Sequence, residues 1–116
     1  MAVETLDELL ELTKVFFPYT EENYPGQDFG PDESRRTFAV KHGLTHLTKS
    51  VGKIAAIVEA NDHGAKLDEQ QLRIDIAKVL MTTLNMAQNL GMSGEALADL
   101  AIASARGNMP ANGGGQ

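Results

Sequence analysis

The sequence predicts an all-α fold, and three observations predict it. Apolar residues recur at helical spacing through four runs, and Pro falls only outside those runs. With 42% apolar residues, only four Phe and two Tyr, and no Trp, the chain is stocked to pack helices with Leu, Ile, Val, Ala and Met. A sandwich would favour aromatic and β-branched strands. The expectation is a four-helix bundle with long central antiparallel helices, forming one domain over residues 1–106, with a disordered tail at 107–116.

The first helix is expected from Thr5, whose hydroxyl can cap the following amides, with Glu8 placed to complete a capping box. Leu6, Leu9, Leu10, Leu12, Val15 and Phe16 give it an apolar side, and Pro18 ends it. Residues 18–33 are rich in Pro, Gly and aromatics, which reads as a long ordered loop or a lid. The second helix runs from Ser34 to Asn61 and stops at the NDHGAK segment, where Gly64 suits a left-handed cap and His63 is solvent-exposed. Asp68 opens a third helix that reaches Leu90 and is stopped by Gly91. Its apolar residues lie almost all round, which predicts contact from several sides and, in so small a chain, a homodimer or homotetramer to cover it. Ser93 caps a fourth helix, Gly94 to Arg106, expected to pack through Leu97, Leu100 and Ala101.

Charge is partitioned. Residues 1–33 hold nine acids against the single base Lys14, whereas residues 34–58 hold no acid and five bases, Arg35, Arg36, Lys41, Lys49 and Lys53. Within that second helix, Val40, Leu44, Leu47, Val51, Ile54, Ala55 and Val58 form an apolar stripe. His42, His46, Lys49 and Lys53 form a polar stripe on roughly the opposite side. A polar stripe is a solvated face unless a second layer covers it.

The totals exclude several classes. A net charge of −6 does not suit general nucleic-acid binding, which needs clustered cations across the surface. The absence of cysteine removes disulfide and thiolate chemistry. No secretory or membrane-spanning signal is expected, which makes the cytoplasm the default location. His42 and His46 have the i, i+4 spacing of zinc ligands but lack the glutamate of a metalloprotease helix, and neighbouring lysines disfavour a cation, so no metal is assigned to them.

Two segments carry a family likeness. The stretch HLTKSVGKIAAIVEA, residues 46–60, followed by LRIDIAKVLMTTLNMAQNLGM, residues 72–92, resembles the MazG-like all-α nucleotide pyrophosphohydrolases, and the framework match runs over about residues 38–106. The resemblance implies a four-carboxylate Mg²⁺ site, built from an E-E-x-x-E motif and an E-x-x-D motif, that cleaves a nucleoside triphosphate to the monophosphate and pyrophosphate. This chain departs from that pattern at the site itself. Lys49, Ser50 and Lys53 stand at the first motif, and Asp75 and Lys78 at the second. Ammonium groups do not ligate Mg²⁺ and would repel it.

Lysines at three of these positions suggest a changed rather than an eroded site. The preferred reading is a protein that binds a nucleotide or other phosphate-rich anion without metal or other cofactor. In it Lys49, Lys53 and Lys78 converge as fixed charges, Asp75 lies beside them, and His46, His42, Arg35 and Arg36 lie further along the helix. Two alternatives stand beside it. One is an active Mg²⁺-dependent pyrophosphohydrolase whose acids come from the 21–33 loop or from Asp68, Glu69 and Asp75. The other is a non-catalytic helical oligomer in which the acidic N-terminal segment docks on the basic helix.

Overall fold

The computed structural model describes residues 3–27 and 32–107, so the expectations for residues 28–31 and for the tail at 108–116 fall outside the described residues. Four helices are present among them and no strand, in the order α1 (Leu6–Phe16), α2 (Asp32–Asp62), α3 (Glu69–Asn89) and α4 (Gly94–Arg106). No described helix is long and apolar enough to cross a membrane.

The caps follow the sequence. Thr5 Oγ1 accepts from the Glu8 amide at 3.1 Å, and its hydroxyl donates to Glu8 Oε1 at 3.1 Å, so the carboxylate returns to the cap's side chain. Asp68 accepts from the Gln71 amide, and Ser93 from the Ala96 amide. Between α3 and α4 the chain reverses at Gly91, whose φ of +77° is left-handed. There the amides of Gly91 and Met92 return to the carbonyls of Gln88 and Ala87. That arrangement satisfies the open end of α3 and lets α4 begin within three residues.

α3 is the hub, as its distribution of apolar residues predicts. α2 packs along one side of it, α1 along another, and α4 lies against α1. One small core joins Leu10 of α1 to Leu84 and Ala87 of α3, with Leu6, Leu9, Met81, Met92 and Leu97 around it. A second core joins Tyr19 of the α1–α2 connection to Ala39 of α2, flanked by Tyr24 and Phe38. Two polar ties fix the helices. Asn85 Nδ2 donates to the Thr13 carbonyl at 3.3 Å, and the Gly94 amide donates to Asp7 Oδ1 at 2.7 Å. The second places a carboxylate on the N-terminus of α4, where the helix dipole favours it. Asp7→Ala is expected to cost about 1.5 kcal/mol, the lower end for a bond to a charged group, measured as a shift in the urea midpoint at unchanged slope.

Two expectations need correction. α4 packs inward through Leu97, while Leu100 and Ala101 are exposed. More consequentially, the apolar stripe of α2 is only partly covered, with Leu47 and Ile54 half-buried and Leu44, Val51 and Val58 exposed. The most deeply buried positions of the helix are Ala39, Gly43 and Ser50, and a Cβ on Gly43 would come within 2.6 Å of Met86 Cγ. Small residues let the two helices approach closely, and the stripe of Leu44, Val51 and Val58 is left exposed on another side of α2.

A candidate anion site beside an aromatic box

The polar stripe of α2 acquires its second layer over half its length. The α1–α2 connection folds back so that Tyr19 and Tyr24 stack with ring centroids 5.3 Å apart. Phe38 stacks on His42 at 5.4 Å, Tyr24 meets the edge of His42 at 4.8 Å, and His42 meets His46 at 4.7 Å. One turn of helix separates the two histidines, and their Nε2 atoms lie 3.0 Å apart, so that one ring donates and the other accepts.

Burial sets the ionisation of this box. It depresses the His42 imidazolium, and the neighbouring His46 depresses it further. Unfolded chains therefore bind a proton that the fold refuses, and stability should fall as pH drops from about 6.5 toward the lower folded value. A urea midpoint series across that range checks this, and His42→Asn should flatten the slope. At the other end of the scale, burial and the adjacent Tyr24 push the Tyr19 phenol up to about 12, and burial also raises Tyr24. The unfolded phenols release their protons first, so stability present below pH 10 should be lost as pH rises toward 12. Absorbance at 295 nm should show neither of the two tyrosines ionising at the ordinary value of about 10.

Two cavities meet at this connection. The first, about 600 Å³, is lined by Lys14 from the last turn of α1, by Phe17 to Thr20, by Arg35 and Arg36 near the start of α2, and by Asn85, Gln88 and Asn89 from the end of α3. Three cations and three carboxamides make it rich in donors to an anion, and no carboxylate among the described residues lines it. Arg36 Nε donates to the Asn89 carbonyl at 3.1 Å, which caps α3 and uses one of the guanidinium's five N–H groups. Lys14 also pairs with Glu11 at 3.5 Å on the surface, a contact of little energetic weight.

The second cavity, about 450 Å³, abuts the first across Phe17, Tyr19 and Asn85. Its walls are mainly apolar, from Tyr24, Gly43, Ile74, Ala77 and Met81, with His46, Ser50, Lys78 and Thr82 as polar points. A volume of this size with few polar groups suits an aromatic or heterocyclic moiety.

The residues singled out from sequence are divided by the structure. Arg35 and Arg36 line the cationic cavity, whereas His46 and Lys78 line the aromatic one and His42 supports its wall from behind. Lys49 and Lys53 are exposed and line neither cavity. At 100° per residue they continue the line of His42 and His46 beyond the reach of the tyrosines. Asp75 is 1% exposed and lines neither cavity. Gln71 Nε2 donates to its Oδ1 at 3.1 Å, and its Oδ2 is buried without a hydrogen-bond partner. Among the described residues, no three His, Asp or Glu side chains gather as a cation cage. Lys14, Tyr19, Tyr24, Asn85 and Asn89 are the participants that sequence reading did not assign. Comparison with protein-family models, with curated proteins and with solved structures gave no match.

Proposed function

We propose that this chain binds a nucleotide or another phosphate-rich anion without metal catalysis, in a sensing, sequestering or regulatory role, on a helical framework of the MazG-like kind. The observation that carries the reading is the adjacency of two chemically different cavities. Lys14, Arg35 and Arg36 line one, and an aromatic and aliphatic surface lines the other. Arginine holds phosphate oxygens through paired N–H groups, and carboxamides add neutral donors. An aromatic base gains from stacking and edge contacts with Tyr24 and Tyr19 in the neighbouring space. The likeness to the pyrophosphohydrolases supports only the metal-free part of the reading, since lysines stand where it places Mg²⁺-holding carboxylates, while Lys49 and Lys53 themselves line neither cavity.

The test is a thermal-shift panel of nucleoside triphosphates, nucleosides, pyrophosphate and sulfate, each with and without Mg²⁺, with released pyrophosphate assayed in the same wells. The expected result is stabilisation by nucleotides that exceeds that by pyrophosphate or nucleoside alone, present without Mg²⁺ and without turnover. Mg²⁺-dependent release of pyrophosphate would overturn the reading in favour of an enzyme.

A further inference from the structure

One turn of α3 is polar where it meets α1. Asn85 is 3% exposed, and Thr13 of α1, whose carbonyl it reaches, is fully buried. Asn is a poorer helix former than Leu, and a buried carboxamide is costly unless its hydrogen bonds are made. The neighbouring Leu84 and Ala87 already give α1 an apolar contact with this stretch of α3. Packing alone does not account for the carboxamide at 85.

That carboxamide holds the end of α1. The Thr13 carbonyl accepts the Phe17 amide at 2.9 Å, the bond that closes the last turn of the helix, and its second lone pair accepts from Asn85 Nδ2 at 3.3 Å. Lys14, the next residue, projects from the same turn into the lining of the cationic cavity. Its surface pair with Glu11 lies within α1 and is weak, so it does not fix Lys14 against the rest of the chain. One turn further along α3, Asn89 Nδ2 donates to the Asn85 carbonyl at 2.8 Å, and the Asn89 carbonyl accepts from Arg36 Nε at 3.1 Å. Lys14 from α1 and Arg36 from α2 are therefore both registered against a single turn of the helix on which α1 and α2 each pack.

We infer that Asn85 is a positioning residue of the cationic cavity, fixing Lys14 opposite Arg36 through the Thr13 carbonyl; the role rests on the anion-binding reading of that cavity. An ammonium on a long flexible stem loses less freedom on meeting a phosphate when the backbone that carries it is already fixed. Arg36 has its own bond to the backbone of Asn89, so the Asn85 side chain acts on Lys14 and leaves Arg36 in place.

Pyrophosphate is the probe, titrated by calorimetry without Mg²⁺ in a double-mutant cycle of Asn85→Leu with Lys14→Met. Asn85→Leu is expected to lower affinity about tenfold in the native background and less than about twofold when residue 14 is already Met, a coupling within the range shown by side chains of one network. A role in the core alone would lower affinity by the same factor in both backgrounds, and that result would overturn the inference. Hydrogen exchange followed by NMR on the ligand-free chain gives a readout that needs no anion. Asn85→Leu should speed exchange at the Phe17 amide about tenfold by local opening, while the Arg36 Nε–H keeps its protection. Loss of both protections together, or of neither, would also overturn the inference. A native chain that binds no pyrophosphate would refute the anion site, and the exchange pattern would then decide the positioning of Lys14 by itself. Asn85→Ala takes the place of Asn85→Leu in both measurements if the larger side chain prevents folding.

Discussion

Reversing two charges, Lys14→Glu with Arg36→Glu, is expected to weaken nucleotide binding at least 100-fold in 0.15 M salt, read by titration calorimetry without Mg²⁺. Each cation that meets a phosphate through charge-assisted bonds contributes about 1.5–3 kcal/mol, or roughly a factor of ten to a hundred. Reversal also adds repulsion, so the pair loses more than two deletions would. Arg36 carries a second duty, since its Nε caps the α3 carbonyl of Asn89. Arg36→Glu alone should therefore lower stability by about 1 kcal/mol as well, and the Lys14→Glu single variant separates binding from this cost. The informative control is the exposed pair on the same polar stripe. Lys49→Glu and Lys53→Glu line neither cavity, and each should change affinity less than about threefold, through long-range field alone. If instead these two abolish binding while Lys14→Glu does not, the anion site lies on the lysine stripe and the cationic cavity is not its seat.

How far the sequence carries such a site depends on the range of the interaction. Helix starts at Thr5, Asp68 and Ser93 and the stop at Gly91 are legible because each cap is written within four residues. The role of α3 as hub is legible from apolar residues on every side. Which face of α2 meets α3 is not legible. Hydropathy favours the Leu44, Val51 and Val58 edge, yet close approach selects Ala39, Gly43 and Ser50, because Gly43 lets Met86 lie against the backbone. That choice rotates the helix relative to the hydrophobic reading. Lys49 and Lys53 remain exposed and line neither cavity after that turn, while Lys78 lines the aromatic one. Lys14 and the tyrosines escaped notice for a different reason. Lys14 lies 22 residues from Arg36, and Tyr19 and Tyr24 lie 23 and 18 residues from His42, so only the path of the α1–α2 connection brings them together. The isolation of Lys14 among nine acids was the one available signal.

Tyr19→Ala is expected to lower stability by about 3 kcal/mol, the largest loss foreseen for any single side chain of the connection. Tyr19 is buried against Ala39, stacks on Tyr24, and meets the edges of Phe38 at 5.8 Å and His42 at 6.1 Å. Truncating a buried aromatic costs about 3–5 kcal/mol, and a site on a connection that relaxes belongs at the lower end. In a domain of this size that is a fall in Tm of roughly 12–20 °C. Tyr19→Phe keeps the ring contacts and should cost less than about 1 kcal/mol, which assigns the effect to packing rather than to the hydroxyl. The same ring walls both cavities, so its loss removes the surface that holds a base beside the cationic end. Pyrophosphate, which needs only Lys14, Arg35 and Arg36, should keep most of its affinity for Tyr19→Ala at a temperature where the variant is folded. A nucleoside triphosphate should lose its advantage over pyrophosphate there. A variant that lost both ligands equally would show the connection positioning the cations as well, and one that lost neither would place the base outside the aromatic box.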